Sequence, residues 1–322
     1  MLVTKYLSYA FPSLLEHEKM NLSLTEQLDS FVRKHSDRQL LILPVATFLI
    51  AVLIIAFTSA TTGAPVKLGM EFKGGTMVSL NTDMPADSLK EKYSTYPLTD
   101  VRQTGSRTVM QFGPMSTEEQ QTLNKDVTDT YGSVEIRQIG PVYGKDLQKQ
   151  ALKAVFFSFI GMSLIVFIIF RTFVPSAGVI LSAFCDIVIA IAFMNVVGVE
   201  LSLGTVAALL MLIGYSVDSD ILLTTRVLKR RGEVGENITN AMGTGITMTT
   251  TTLVALFAMY LVSTYSYLII PSFSQINLLS DISIVLIFGL IADIMNTWLT
   301  NVSILRWYVQ KEGTKMARRR RA

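Results

Sequence analysis

Cysteine is almost missing from this chain: Cys185 stands alone among 322 residues, and histidine occurs only as His17 and His35. One thiol builds no disulfide framework, and both histidines precede the first apolar run, so a His/Cys metal centre has no ligand set. Charge is scarce as well, at 16% against 50% hydrophobic residues and a mean hydropathy of +0.44. That balance points to a membrane. The net charge of +3 is unremarkable as a total, and no nucleic-acid partner is expected. Where the Lys and Arg residues fall matters more, because positive loops orient membrane spans.

Long uncharged runs are what the chain does have. A spanning helix needs roughly 20 apolar residues, because a hydrocarbon layer about 30 Å thick is crossed at about 1.5 Å per residue. Residues 39–59 meet that length without a charge. The polar lead 1–38 carries no convincing cleavage site, so this run reads as a retained anchor behind an N-terminal segment of amphipathic, surface-lying character. Further runs at 150–170, 176–197, 202–225, 244–263 and 279–306 complete six expected spans, followed by a basic tail, 307–322. With the N-terminus in the cytoplasm, Arg171, then Arg226, Lys229, Arg230 and Arg231, then Arg306, Lys311, Lys315 and Arg318 to Arg321 all fall inside. The short outer loops GVEL and STYSYLIIPSFSQIN hold no Lys or Arg. Both termini are therefore expected in the cytoplasm, the tail against anionic membrane lipids, and residues 60–149 outside.

The stretch 60–149 reads as a domain. Residues 75–82 alternate as a strand, ADSLKEKYSTY reads as a helix, and DVRQTG and RTVMQFGP read as two strands about Ser106. STEEQQTLNKDVTDTYG opens with a capping pattern and forms a second helix, and VEIRQIGP closes as a strand. The order βαββαβ is that of a ferredoxin-like α+β domain. It holds no catalytic constellation, so a binding or positioning module is expected and not an enzyme. EFKGGT and GPVYGKDL frame it. No Walker or dinucleotide spacing follows the glycines, so a turn or hinge is expected, and no cofactor.

Ionisable groups inside spans cost about 2.5 to 3.5 kcal/mol each on insertion scales, so each one raises a functional question. In GYSVDSDILLTTR, Asp218 and Asp220 lie about 200° apart around a helix and cannot share a face. Asp218, aligned with Gly214, Leu222 and Thr225, is the one expected to face the bundle, and Arg226 is about 12 Å further along the axis. Gly289, Asp293, Asn296 and Thr300 form a polar stripe in the sixth span. Asp186 lies in the third, Asp281 near the outer end of the sixth, and Gly243, Gly245 and Thr249 to Thr252 in the fifth. Asp218, Asp220, Arg226, Asp293 and Asn296 are the candidate ion relay or intramembrane polar network. The bland reading is that such groups only glue helices together by hydrogen bonds.

Six spans with a soluble insert after the first resemble half of a resistance-nodulation-division transporter, and the strings narrow the likeness to the SecD/SecF family, of archaeal type. EFKGGT resembles the FxGG element of that family (Phe72, Gly74, Gly75), and GPVYGKDL its GPxxGxxL element (Gly140, Pro141, Gly144). IGYSVDSDIL with Gly214 and Arg226 resembles its fourth-span signature, and DISIVLIFGLIADIMNTWLTNVSILRWY its SecF-type final span. The likeness covers residues 39 to about 310. Where bacterial relatives read Asn-Asp, this chain reads Asp218, Ser219, Asp220, and the Asp218 position resembles the carboxylate of the SecD motif instead. The resemblance implies partnership with SecD, association with a SecYE-type channel, and handling of preproteins at the cytoplasmic membrane, with or without an ion gradient. A scaffold for SecD is the alternative. An intramembrane aspartic protease is the rival from another class, and it lacks its GxGD string here.

Overall fold

The computed structural model describes residues 25–104, 107–229, 232–269 and 277–319. The amphipathic reading of residues 1–24, the turn about Ser106, residues 270–276 of the STYSYLIIPSFSQIN loop and the last arginines fall outside them.

Among the described residues, six helices are long and apolar enough to cross a membrane. A short helix, α1 (25–34), precedes the first of them, α2 (Asp37–Thr62). Ser36 and Gln39 form a reciprocal capping box that starts α2, and Gly63 closes it at φ 75°. The other five are α6 (Pro141–Phe170), α7 (Phe173–Val197), α8 (Leu203–Lys229), α9 (Val234–Ile269) and a composite sixth span. That last span runs as α10 (Asn277–Met295), one π-helical turn (Asn296–Asn301) and α11 (Val302–Arg319).

The most apolar windows of α7 and α8 are each 56% buried, against 6% for α6 and 17% for α2. α7 and α8 are therefore the centre of the bundle, and α6 and α2 leave most of their side chains exposed. The main apolar core joins Ala208, Leu209, Leu212 and Ile213 of α8 to Ala190 and Met194 of α7 and to Val285, Leu286 and Leu290 of α10. A second core lies at the end away from the inserted domain, where Val32 of α1 is fully buried among Leu40, Leu223, Ile238, Trp298 and Leu305. α1 is latched there as well as packed. Arg33 pairs with Asp29 and donates to Thr239, while Arg306 donates to the Val32 carbonyl.

Between α2 and α6 lie α3 (Met70–Lys73), β1 (Gly75–Asn81), α4 (Ala86–Lys92), β2 (Leu98–Thr104), β3 (Arg107–Phe112), α5 (Thr117–Tyr131) and β4 (Val134–Ile139). The strands form one antiparallel sheet in the order β2-β3-β1-β4, as the βαββαβ reading requires. Register explains the core: Val78 and Leu80 of β1 and Met110 and Phe112 of β3 point to one face, where Leu89 of α4, Tyr93 at its C-terminal cap, and Leu123 and Val127 of α5 cover them. The other face carries charge, and Arg137 and Arg107 flank Glu135 closely enough to hold its carboxyl below the usual carboxylate range.

The two glycine motifs meet each other where the domain joins the bundle. Gly74 and Gly75 adopt φ of 79° and 146°, and a Cβ on Gly75 would come within 2.2 Å of the Phe112 carbonyl oxygen. Gly144, in the first turn of α6, lies so close to α3 that a Cβ would stand 2.7 Å from the Phe72 carbonyl oxygen. Only glycine fits either place. The Phe72 ring is fully buried with Leu147 of α6 and Val206 of α8, and Gln148 donates to the Phe72 carbonyl at 2.7 Å. Gly140 caps α6, and Pro141 occupies its first turn, where a missing N–H costs nothing.

Candidate functional site

The fourth span is amphipathic in polarity as well as in packing. Ser216, Ser219, Asp220 and Thr224 are buried, whereas Gly214 and Asp218 are exposed. This corrects the orientation expected for Asp218. Asp220 is the carboxylate that faces the interior, because burial along α8 follows the small and apolar residues Leu212, Ile213, Ser216, Val217, Leu223 and Val227, whose stripe takes in Asp220.

Three carboxylates from three spans meet behind that stripe. Asp186 of α7, Asp220 of α8 and Asp293 of α10 are 0%, 0% and 1% exposed. Asp186 accepts from the Ser216 hydroxyl and from the Asn296 amide, both at 2.6 Å. Asp220 accepts from Thr297 and from Asn301, both at 2.9 Å. The Thr297 hydroxyl also lies 3.1 Å from an oxygen of Asp293, so one hydroxyl bridges two carboxyl groups. These partners are all neutral, and among the described residues none of the three carboxyls forms an ion pair. Among the described residues, one oxygen each of Asp220 and Asp293 has no hydrogen-bond partner, nor do the hydroxyls of Thr224 and Thr300 nearby in sequence.

A π-helical turn, Asn296–Asn301, lies at this convergence. Asn296 reaches Asp186, while Thr297 and Asn301, four residues apart on one flank of the span, both reach Asp220. Thr300, expected in the polar stripe, is buried with its hydroxyl unpartnered. The fifth span gives no hydrogen bond to the set among the described residues. Thr249, Thr251 and Thr252 bond back to carbonyls of their own helix, and Gly245 packs against the Trp298 ring.

Arg226 sits apart from all three carboxyls, donating to the Asn240 carbonyl and to the Thr244 hydroxyl. Asp218 lies on the opposite face of α8, in a lateral groove of about 470 Å³ that Ser158, Gly161 and Met162 of α6 share with Leu210, Gly214 and Ile221 of α8. A Cβ at Gly161 or Gly214 would meet nothing within 4 Å, so the groove is open along its floor. Asp186, Ser216, Thr297 and Asn301 were absent from the candidate set. Asp186 had a visible signal, an acid in the middle of an apolar run, whereas the other three are polar residues of ordinary kind.

Residues 119–311 match the family profile described as protein export membrane protein SecD/SecF, C-terminal. The chain belongs to the SecD/SecF family. It is 45% identical to a protein-export membrane protein SecF of Methanolacinia petrolearia over 88% of this chain and 97% of the relative. Identity is 44% to the protein of that name from Haloferax volcanii, over 85% of this chain and 93% of the relative. For the one from Pyrococcus furiosus it is 41%, over 86% and 93%. The six-span bundle and its inserted antiparallel domain are thus the architecture of a multi-pass member of the SecD/SecF family.

Proposed function

We propose that this chain assists protein export across the cytoplasmic membrane as the SecF-type partner of SecD. In this reading the Asp186, Asp220 and Asp293 set carries exchangeable protons whose movement biases the packing of α7, α8 and α10. The observation that carries it is the Thr297 bridge, 2.9 Å from Asp220 and 3.1 Å from Asp293. A hydroxyl has one hydrogen and donates fully to one acceptor only. A proton on either carboxyl completes the chain, because that O–H donates to Thr297 while Thr297 donates to the other carboxylate. Three bare charges with neutral partners in hydrocarbon cost too much to stand together. The set is therefore suited to hold and pass protons.

Asp218 supports the partnership. A carboxyl on a lipid-facing groove between two glycine-bearing helices suits a second membrane protein that covers it, with small residues allowing close helix approach. SecD fills that place here, and the pair would act beside a SecYE-type channel, with the inserted domain outside to hold or pull the emerging preprotein. The one-sided Lys and Arg distribution supports cytoplasmic termini.

Depletion of this chain is expected to slow export of secreted proteins, and Asp220→Asn, present at normal levels in the membrane, to fail to restore the rate. Normal export kinetics in a clean deletion would overturn the proposal. Full rescue by Asp220→Asn would leave the second reading, a scaffold for SecD, in which the same hydrogen bonds only hold helices together. A protease fits poorly, since Asp220 and Asp293 are sealed from water and Asp218, the accessible carboxyl, stands on another face.

A further inference from the structure

The helix that carries Asp220 begins at the inserted domain. Leu203 opens α8, and its backbone N–H donates to the Glu71 carboxylate at 2.6 Å. Glu71 belongs to α3, the single turn immediately before β1. Carboxylates are favoured at a helix N-terminus, where unpaired N–H groups and the helix dipole present positive potential. Ser202 and Thr205 complete the cap reciprocally, Thr205 N–H donating to the Ser202 hydroxyl at 3.2 Å and Ser202 N–H to the Thr205 hydroxyl at 2.8 Å.

Two kinds of contact hold this junction. One is a weld: the buried Phe72 ring, the Gly144 approach, and backbone bonds from Gly69 N–H to the Leu201 carbonyl at 2.8 Å and from Leu201 N–H to the Lys67 carbonyl at 2.7 Å. The other is the Glu71 bond, a side-chain contact that is only half-buried and directed at the end of α8 itself. From Leu203 to Asp220 the helix is unbroken, about 26 Å at about 1.5 Å per residue. A rigid rod of that kind carries an axial shift or rotation from one end to the other.

We propose that Glu71 is the positioning residue that hands movement of α8 to the inserted domain. The inference rests on the proton-relay reading above and assigns its mechanical output. A change of packing at Asp220 displaces the N-terminus of α8. Glu71 follows Leu203, and α3 turns β1 and the sheet behind it.

The test uses the full chain with SecD in lipid vesicles, in a Cys185→Ser background with spin labels at Asp129→Cys on α5 and Val196→Cys at the end of α7. Asp220→Asn, which mimics a protonated carboxyl, is expected to shift the distance between the labels. Glu71→Ala is expected to reduce that shift by half or more, since the Phe72 contact with Val206 remains, and Glu71→Gln, whose amide oxygen still accepts from Leu203, to keep it. Leu203→Pro supplies an independent arm, because proline at the first helical position removes the donor N–H and leaves the helix intact. It too is expected to reduce the shift by half or more. A shift that persists unchanged in Glu71→Ala or in Leu203→Pro overturns the assignment of Glu71 alone. No shift from Asp220→Asn in the chain with Glu71 intact overturns the relay reading, and this inference with it.

Discussion

Replacing Thr297 by valine isolates the bridge between two carboxyl groups. The side chain keeps its shape and loses only the hydroxyl, which lies 2.9 Å from Asp220 and 3.1 Å from Asp293. Polar contacts between membrane helices average about 0.6 kcal/mol and reach about 1.7 kcal/mol in double-mutant cycles, because the unfolded chain in lipid also finds partners. Two contacts therefore predict a loss of about 1 to 3 kcal/mol, read as a lower unfolding midpoint of the purified chain in lipid or detergent. The bridge also predicts a coupling. Asp293→Asn and Thr297→Val together are expected to cost less than the sum of the two alone, with a difference of about 0.5 kcal/mol or more, since each removes the same contact. Thr297→Ser keeps the hydroxyl and is expected to retain that coupling. Additive costs, or a Thr297→Ser that behaves like valine, would refute the bridge.

Packing makes further predictions. Gly144→Ala places a Cβ 2.7 Å from the Phe72 carbonyl oxygen and is expected to destabilise the junction by about 1 to 3 kcal/mol, whereas Gly161→Ala, with nothing within 4 Å, is expected to leave the melting temperature unchanged. Limited proteolysis near residues 65–75 reports the first, and equal cleavage in both variants would contradict it. Gly161→Leu fills the groove beside Asp218 and is expected to leave this chain's own stability intact while reducing co-purification with SecD, and full recovery of SecD would place that partner elsewhere. Leu123→Ala empties a fully buried position under the sheet and is expected to cost about 2 to 5 kcal/mol, visible as faster hydrogen exchange across β1 and β3 in the full chain. Unchanged exchange there would mean that the domain core lies elsewhere.

The six spans were legible because each is a predominantly apolar run of membrane length, interrupted by at most a few acids, and hydropathy is a local property that survives without tertiary information. The inserted domain was legible for a related reason. Alternation in β1 and β3 and the capping pattern at Ser116 and Glu119 are local signals, and their order leaves few topologies. Asp218 shows where such reading stops. An angle of about 200° says that Asp218 and Asp220 face apart but not which of them faces inward, since that depends on where α7 and α10 stand around α8. The polar stripe of the sixth span failed differently. Asp293 and Asn296 of that stripe do join the set, but Thr297 and Asn301, at four-residue spacing from Asp293, reach the carboxyls and Thr300 does not, because packing against α7 and α8 decides which flank of the span meets them.

By itself, then, the order of residues determined which segments are long and apolar enough to cross a membrane, that a βαββαβ domain interrupts them, and that acids are buried somewhere among the spans. Each of these follows from composition or periodicity within a few neighbouring residues. Tertiary structure alone decided that Asp186, Asp220 and Asp293 form one set joined by Thr297, that Asp218 lies outside it, and that Glu71 reaches the start of α8. Those facts depend on helices distant in the chain packing at particular rotations, and rotation is set by the side chains of the neighbours and not by the helix that turns.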